Sequence, residues 1–287
     1  MSRVRGLGYD RVAEMVVELV RDREIYPNAP LRLVTAEARY PASARFARAT
    51  LADIGAAIGD AFPIVEAIPP GVTVNLSLTG PASAAPSQPG YQFFNRERTS
   101  SITIMANRLA VDTTAYTRWE EFREILRRAV EAVEQFSGDL VGVERIGLRY
   151  MDEVRLPEHA TLTIQEWRPY ISEDLLPAAV VREGSTARTF MCLITLATGD
   201  ESELTLRYGP MDGNIIGEGP LRLPRGLRAD SFFLIDIDSY WATQQPHEHG
   251  AGDVLRIADH LHEPVRMAFE TSITDRLRVE VLRKEPS

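Results

Sequence analysis

Two long stretches of the chain repeat their apolar side chains at helical spacing, and each closes a run of segments that alternate at strand spacing. In TRWEEFREILRRAVEAVEQFSG, residues Trp119, Phe122, Ile125, Leu126, Val130, Val133 and Phe136 fall on one stripe. That recurrence lets a helix bury one side. Thr117 stands at the cap position, Glu120 follows three residues on, and Gly138 ends the stretch, the pattern of a capping box and a helix stop. In GAGDVLRIADHLHEPVRMAFETSI the stripe is Val254, Ile257, Leu261, Val265, Met267 and Phe269, with Pro264 placed to kink it. A chain that runs strands and then a long helix, twice over, predicts the α+β class: an antiparallel sheet with long helices on one face.

The strand-period segments are LRLVTAEARYP, VTVNLSLTG, RIGLRYMDEV, SFFLIDIDSYW and a last strand, RLRVEVL. YQFFNRERTSSITIMANRLAVDTTAY reads as two or three antiparallel strands turning near Glu97–Ser100 and at Asn107, and ARTFMCLITLATGDESELTLRYGP as a hairpin turning at Gly199–Asp200. PASAAPSQPG reads as a loop, as does the glycine-rich GPMDGNIIGEGP. Shorter helices fit Tyr9 to Arg23, FARATLADIGAAIGDAF and TIQEWRPYI. The halves match in outline. Three strands share an Arg-Tyr pair, at Arg39–Tyr40, Arg149–Tyr150 and Arg207–Tyr208. Two degenerate β-α-β-β-β-α repeats follow as an expectation: an N-terminal helical extension over 1–25, a first half over 26–140 and a second over 141–287, the halves forming one continuous domain.

A chain of 287 residues, 44% hydrophobic and 25% charged, has the composition of a folded protein with a sizeable core. Its net charge of -9 argues against non-specific nucleic-acid binding. The cations are almost all arginine, with Lys284 the one lysine, so the surface carries planar, bidentate donors. Cys192 is the single cysteine and sits in an apolar run, which excludes an internal disulfide and favours a small buried hydrophobe over a reactive thiol. Charge interrupts the first 26 residues throughout. No signal peptide or membrane span is expected, and the expected location is cytoplasmic.

Three groups of residues carry candidate chemistry. His247, His249, Asp253, His260 and His262 cluster in sequence, but His260 and His262 are two apart on a helix and cannot chelate together. Asp236 and Asp238 share one face of the DID strand, and paired carboxylates suit a divalent cation or acid–base work. Arg145 and Arg149 share a face with Val143, Gly147 and Met151, opposite Ile146, Leu148 and Tyr150. With Arg207 they either grip a carboxylate or phosphate or pair with Asp236 and Asp238 in a ladder across strands. The ladder is the stronger expectation. The ligand-binding candidates are therefore Arg145, Arg149, Arg207, Asp236 and Asp238. No phosphate loop, nucleophile elbow or triad is present, so no catalytic residue, cofactor or metal is assigned.

YPNAPLRLVTAEARYP, the helix beginning WEEF, RIGLRYMDEV, FFLIDIDSY and LHEPVRMAFETSIT occur in that order. The arrangement resembles a sporadically distributed family of uncharacterised bacterial proteins with a central RIGLRY motif and a late DID strand. Asp152 stands where members of that family often carry Asn. The resemblance implies no activity, cofactor or catalytic residue. The expected function is a binding or interaction protein that presents a sheet groove to a protein segment or small ligand. The alternative is a metal-dependent enzyme using the Asp236/Asp238 strand and the His247/His249 loop. An exposed sheet face or edge is consistent with a homodimer.

Overall fold

Among the described residues every strand pairing is antiparallel, and one open sheet of nine strands dominates. The computed structural model describes residues 24–41, 51–75, 83–87, 89–137, 140–157, 163–176, 189–199, 201–215, 220–224 and 230–284. The strands are β1 (Leu31–Arg39), β2 (Ile64–Ile68), β3 (Gly71–Asn75), β4 (Ser83–Ser87), β5 (Gly90–Phe94), β6 (Ser100–Met105), β7 (Arg108–Thr113), β8 (Leu140–Val154), β9 (Cys192–Gly199), β10 (Ser202–Asp212) and β11 (Ser231–His249). The helices are α1 (Leu51–Ile58), α2 (Trp119–Ser137), α3 (Ile164–Trp167) and α4 (Ala251–Ser272). The sheet order is β2-β5-β6-β7-β1-β8-β11-β10-β9, and β3 with β4 forms a separate hairpin. The α+β expectation therefore holds, with α2 and α4 as its long helices.

The apolar phase of the strands faces the helices. Val34, Ala36, Leu109, Val111, Ile146, Leu148, Leu204, Leu206, Ile235 and Ile237 join Leu126, Val130, Val133, Val254, Leu261 and Val265 in one core cluster. The α2 and α4 helices are also clamped to each other. Asp259 on α4 accepts from Trp119 Nε1 at 2.9 Å and from Arg123 Nε and Nη2 at 2.7 and 2.9 Å. Glu134 Oε1 on α2 accepts from the Ala251 backbone N–H at 3.0 Å, capping the first turn of α4.

Several sequence expectations are corrected. Thr117 does not cap α2; its hydroxyl donates to Glu121. Residues in PASAAPSQPG form β4 rather than a loop, with Pro86 opposite Val72 in a two-stranded hairpin, where a missing N–H is tolerated on an edge. RLRVEVL is not a strand. It is the short helix Asp275–Leu277 running into a π-helical turn over Arg278–Leu282. Thr274 Oγ1 accepts from Leu277 N–H at 3.3 Å and starts that turn, and Leu277, Val281 and Leu282 are buried at helical spacing while Val279 is exposed. The DID strand continues to His249, so His247 and His249 lie on a strand, not a loop. Gly142, at φ 78°, absorbs a register shift opposite that extension. The helix predicted over Tyr9–Arg23 lies outside the described residues.

Candidate functional site

The two faces of the central strands offer two different sites. On the face turned away from the helices, β8 carries Arg145, Gly147 and Arg149, β11 carries Asp236, Asp238 and Tyr240, and β10 carries Arg207. Register sets Asp238 opposite Arg149 and Asp236 opposite Arg207. The contacts from β8 run diagonally, and the one from β10 runs straight across. Arg149 donates Nε and Nη2 to the two oxygens of Asp236, both at 2.7 Å. Arg207 Nη2 lies 2.5 Å from the same carboxylate, and Arg145 Nη2 donates to Asp238 at 2.8 Å. Arg145 also stands 3.6 Å from Glu37, which takes Arg39 and Arg108 at 2.6 Å each. Farther along, Thr35 donates to Asp112 at 2.7 Å.

Each candidate arginine thus meets a carboxylate of its own chain, and the internal ladder is what these contacts describe. Asp236 is 4% exposed and holds two guanidinium groups. Burial raises the Asp238 pKa against the pull of Arg145 and Arg149. Burial likewise raises Asp112, against the hydrogen bond from Thr35. Gly147 is the piece of RIGLRY that the sequence reading left without a role. A Cβ there would stand 2.4 Å from Arg145 Nη1 and 3.0 Å from its Cζ. The missing side chain leaves room for the Arg145 guanidinium, which lies 4.6 Å over the Tyr240 ring.

The residues considered for a metal do not converge. In backbone register His247 pairs with Val143 on β8 and Asp238 with Arg149; six residues of β8 separate those positions by about 20 Å. His262 stacks on Trp119, with centroids 4.6 Å apart and planes at 10°, and His249 meets Trp241 edge-on at 5.3 Å. His260 is exposed. Among the described residues no three His, Cys, Asp or Glu side chains are grouped to hold a metal ion.

The second site lies on the helix side of the sheet, and the sequence reading missed it. A cleft of about 1310 Å³ opens between the sheet, α4, the start of α2 and the segment Glu24–Leu31. Its sheet side presents Tyr150, Asp152 and Ile237; α4 supplies His262, Val265, Arg266 and Phe269; Tyr116 and Trp119 come from the entry to α2. The lip is fastened through Asn28, whose N–H and Nδ2 donate to the carbonyls of Leu282 and Val281 at 3.0 and 3.2 Å. Tyr26 donates to Glu270 at 3.2 Å, and its pKa is pushed up to about 12 by burial and by that carboxylate.

Asp152 is the unusual member. Strand alternation after Ile146, Leu148 and Tyr150 puts it on the buried phase, and it is 4% exposed. Its ladder neighbours are Leu31 and Ile235, which offer no side-chain donor. Among the described residues no hydrogen bond or ion pair reaches its carboxyl group. Burial pushes its pKa well above the ordinary carboxylate range, and the charge of Asp236 adds to the shift. Above it, the Tyr150 hydroxyl donates to Tyr116 at 3.2 Å, with the rings 5.4 Å apart and edge-on. The signal was present in the sequence as an acid in the apolar phase of a strand.

No family model matches the chain, and no curated protein matches it. No helix among the described residues is long and apolar enough to cross a membrane.

Proposed function

We propose that the chain is a binding protein and that its ligand site is the cleft between α4 and the sheet, with Asp152 at the base. One observation carries the reading. The ionic groups of the opposite face satisfy one another, whereas Asp152 is buried against the cleft with no partner among the described residues. Burying a lone carboxyl costs stability, so folding does not explain its position and a bound group does. The size suits an extended small ligand or a short segment of a partner. A fragment screen followed by ligand-detected NMR tests this, with the cleft-wall variant Ala29→Trp as control. Fragments that bind the wild-type chain and lose the Trp variant place the site in the cleft. Binding indifferent to that substitution would end the reading.

Four further parts of the proposal have separate support. The duplicated halves are supported by strand order: β1, β7 and β6 extend one way from the centre, and β8, β11 and β10 the other, each set followed by a long helix. Membership of the RIGLRY family is supported by distinct roles for the motif's residues, with Arg145, Gly147 and Arg149 on one face and Tyr150 on the other. A second copy of the chain is the proposed partner at β9, whose Leu193, Ile194 and Leu196 are exposed. A cytoplasmic location is proposed from the single cysteine.

A further inference from the structure

The reading of the cleft as a ligand site leaves the ligand's chemistry open, and the pairing pattern around Asp152 narrows it. The cations that line the cleft are already engaged. Arg118 lies 2.7 Å from Glu121, Arg266 lies 2.6 Å from Glu263, Arg278 lies 3.0 Å from Glu270, and Arg283 lies 2.6 Å from Glu24. An anionic ligand would have to compete with a carboxylate at each arginine it approached. A cationic ligand meets the opposite situation, because the Asp152 carboxyl group is buried and no group among the described residues competes for it. The walls favour the same sign. Tyr150, Tyr116, Trp119 and Phe269 line the cleft with it, and aromatic faces attract a cation and pack against its apolar stem.

Resting on that reading of the cleft, we propose that it recognises a cationic nitrogen, a primary ammonium or a guanidinium group, which forms a salt bridge with Asp152 while the aromatic walls enclose the stem that carries it. Burial favours the protonated acid in the empty cleft, so pairing releases that proton to solvent, and in a site of low dielectric the charge-assisted pair that results is stronger than its exposed counterpart. A planar guanidinium has the geometry to meet both carboxylate oxygens. The group can arrive on a small amine or on a basic side chain of a peptide, and the chemistry at Asp152 is the same for both.

The test is isothermal titration of the full chain with four probes: benzamidine, its neutral isostere benzamide, the anion benzoate and the capped tripeptide Gly-Arg-Gly. Benzamidine is expected to bind about tenfold or more tightly than benzamide, the ratio that about 1.4 kcal/mol of added attraction gives, and benzoate not at all. Asp152→Asn keeps the shape and is expected to abolish the preference. Tighter binding of the tripeptide than of benzamidine assigns the cation to a peptide; weaker binding assigns it to a small amine. Equal binding of benzamidine and benzamide would overturn the inference while leaving the cleft a ligand site. Failure of both benzamidine and the tripeptide to bind would overturn it too, and the fragment screen with Ala29→Trp then decides separately whether the cleft binds anything. The probe series on the wild-type chain decides the sign even if the Asn variant does not fold.

Discussion

Asp152 weakens the fold it sits in, and the sign of that effect can be worked out. Its folded pKa is raised by burial and by Asp236, whereas in the unfolded chain it returns to about 3.9. Its favourable contribution is therefore complete below the unfolded value and is lost as pH rises through the folded one. Asp152→Asn removes the titration. The variant is expected to match the wild type in strong acid and to exceed its stability by about 1–3 kcal/mol at neutral pH, with the gap opening from about pH 4 upward. Urea unfolding across that range checks it, and a gap that does not grow with pH would show that Asp152 has a partner in solution. Gly147 is the other residue whose role lies in what it leaves empty. Gly147→Ala puts a methyl group where the Arg145 guanidinium lies. Because the obstacle is the end of a flexible side chain, the backbone can stay and the arginine swings away. The loss should be about 1 kcal/mol, the scale of a part-exposed ion pair and its cation–π contact. It should nearly vanish when Arg145 is already Ala, which a double-mutant cycle measures.

The element that carries most of this is the β8–β11 pair, with β10 beside it. Asp236 pairs with both Arg149 and Arg207 while 4% exposed, so Asp236→Ala strands two guanidinium groups. Breaking a fully buried pair costs about 3–5 kcal/mol. The arginines keep part of their surface in water, so about 2 kcal/mol is expected here. Chemical denaturation gives the figure, and a loss near zero would mean that the ladder is solvated and energetically idle. Much of this element was legible beforehand. Two-residue periodicity placed Arg145 and Arg149 opposite Ile146, Leu148 and Tyr150, and it placed Asp236 with Asp238. Helical periodicity likewise found α2 and α4. Period alone failed at RLRVEVL, where Leu277, Val279 and Val281 alternate as in a strand but Thr274 caps a helical turn. It also failed at β4, because Pro and Ala give no alternation to read. The cleft was not legible because its walls come from Glu24–Leu31, Tyr116–Glu120 and α4, which only the tertiary fold brings together. Asp152 alone was within reach, by carrying the alternation two residues past Tyr150.

At the scale of the whole molecule the nine-stranded sheet has two ends, and they are unlike. At one end β2 is five residues long, with Glu66 held by Arg98. At the other, β9 is eight residues long and pairs with β10 on one side only; among the described residues no strand meets its outer edge. No charge or proline occurs from Met191 to Gly199, the devices that usually keep an edge from pairing. Leu193, Ile194 and Leu196 are exposed, Leu196 at 50%, and alternation sends them to both faces. An antiparallel strand pairs with a two-fold copy of itself without a new complementary sequence, because the contact is isologous. Pairing β9 to β9 would satisfy both edges, join the two sheets into one and bring no like charges together. The chain is therefore expected to sediment as a dimer whose population rises with concentration. Leu196→Lys should return it to a monomer that melts where the wild-type chain does at dilutions at which it too is monomeric, because the substituted side chain already faces solvent there. A wild-type chain that stays monomeric across the concentration series, or a Lys variant that still dimerises, would exclude β9 as the interface and leave its apolar edge to a different partner strand.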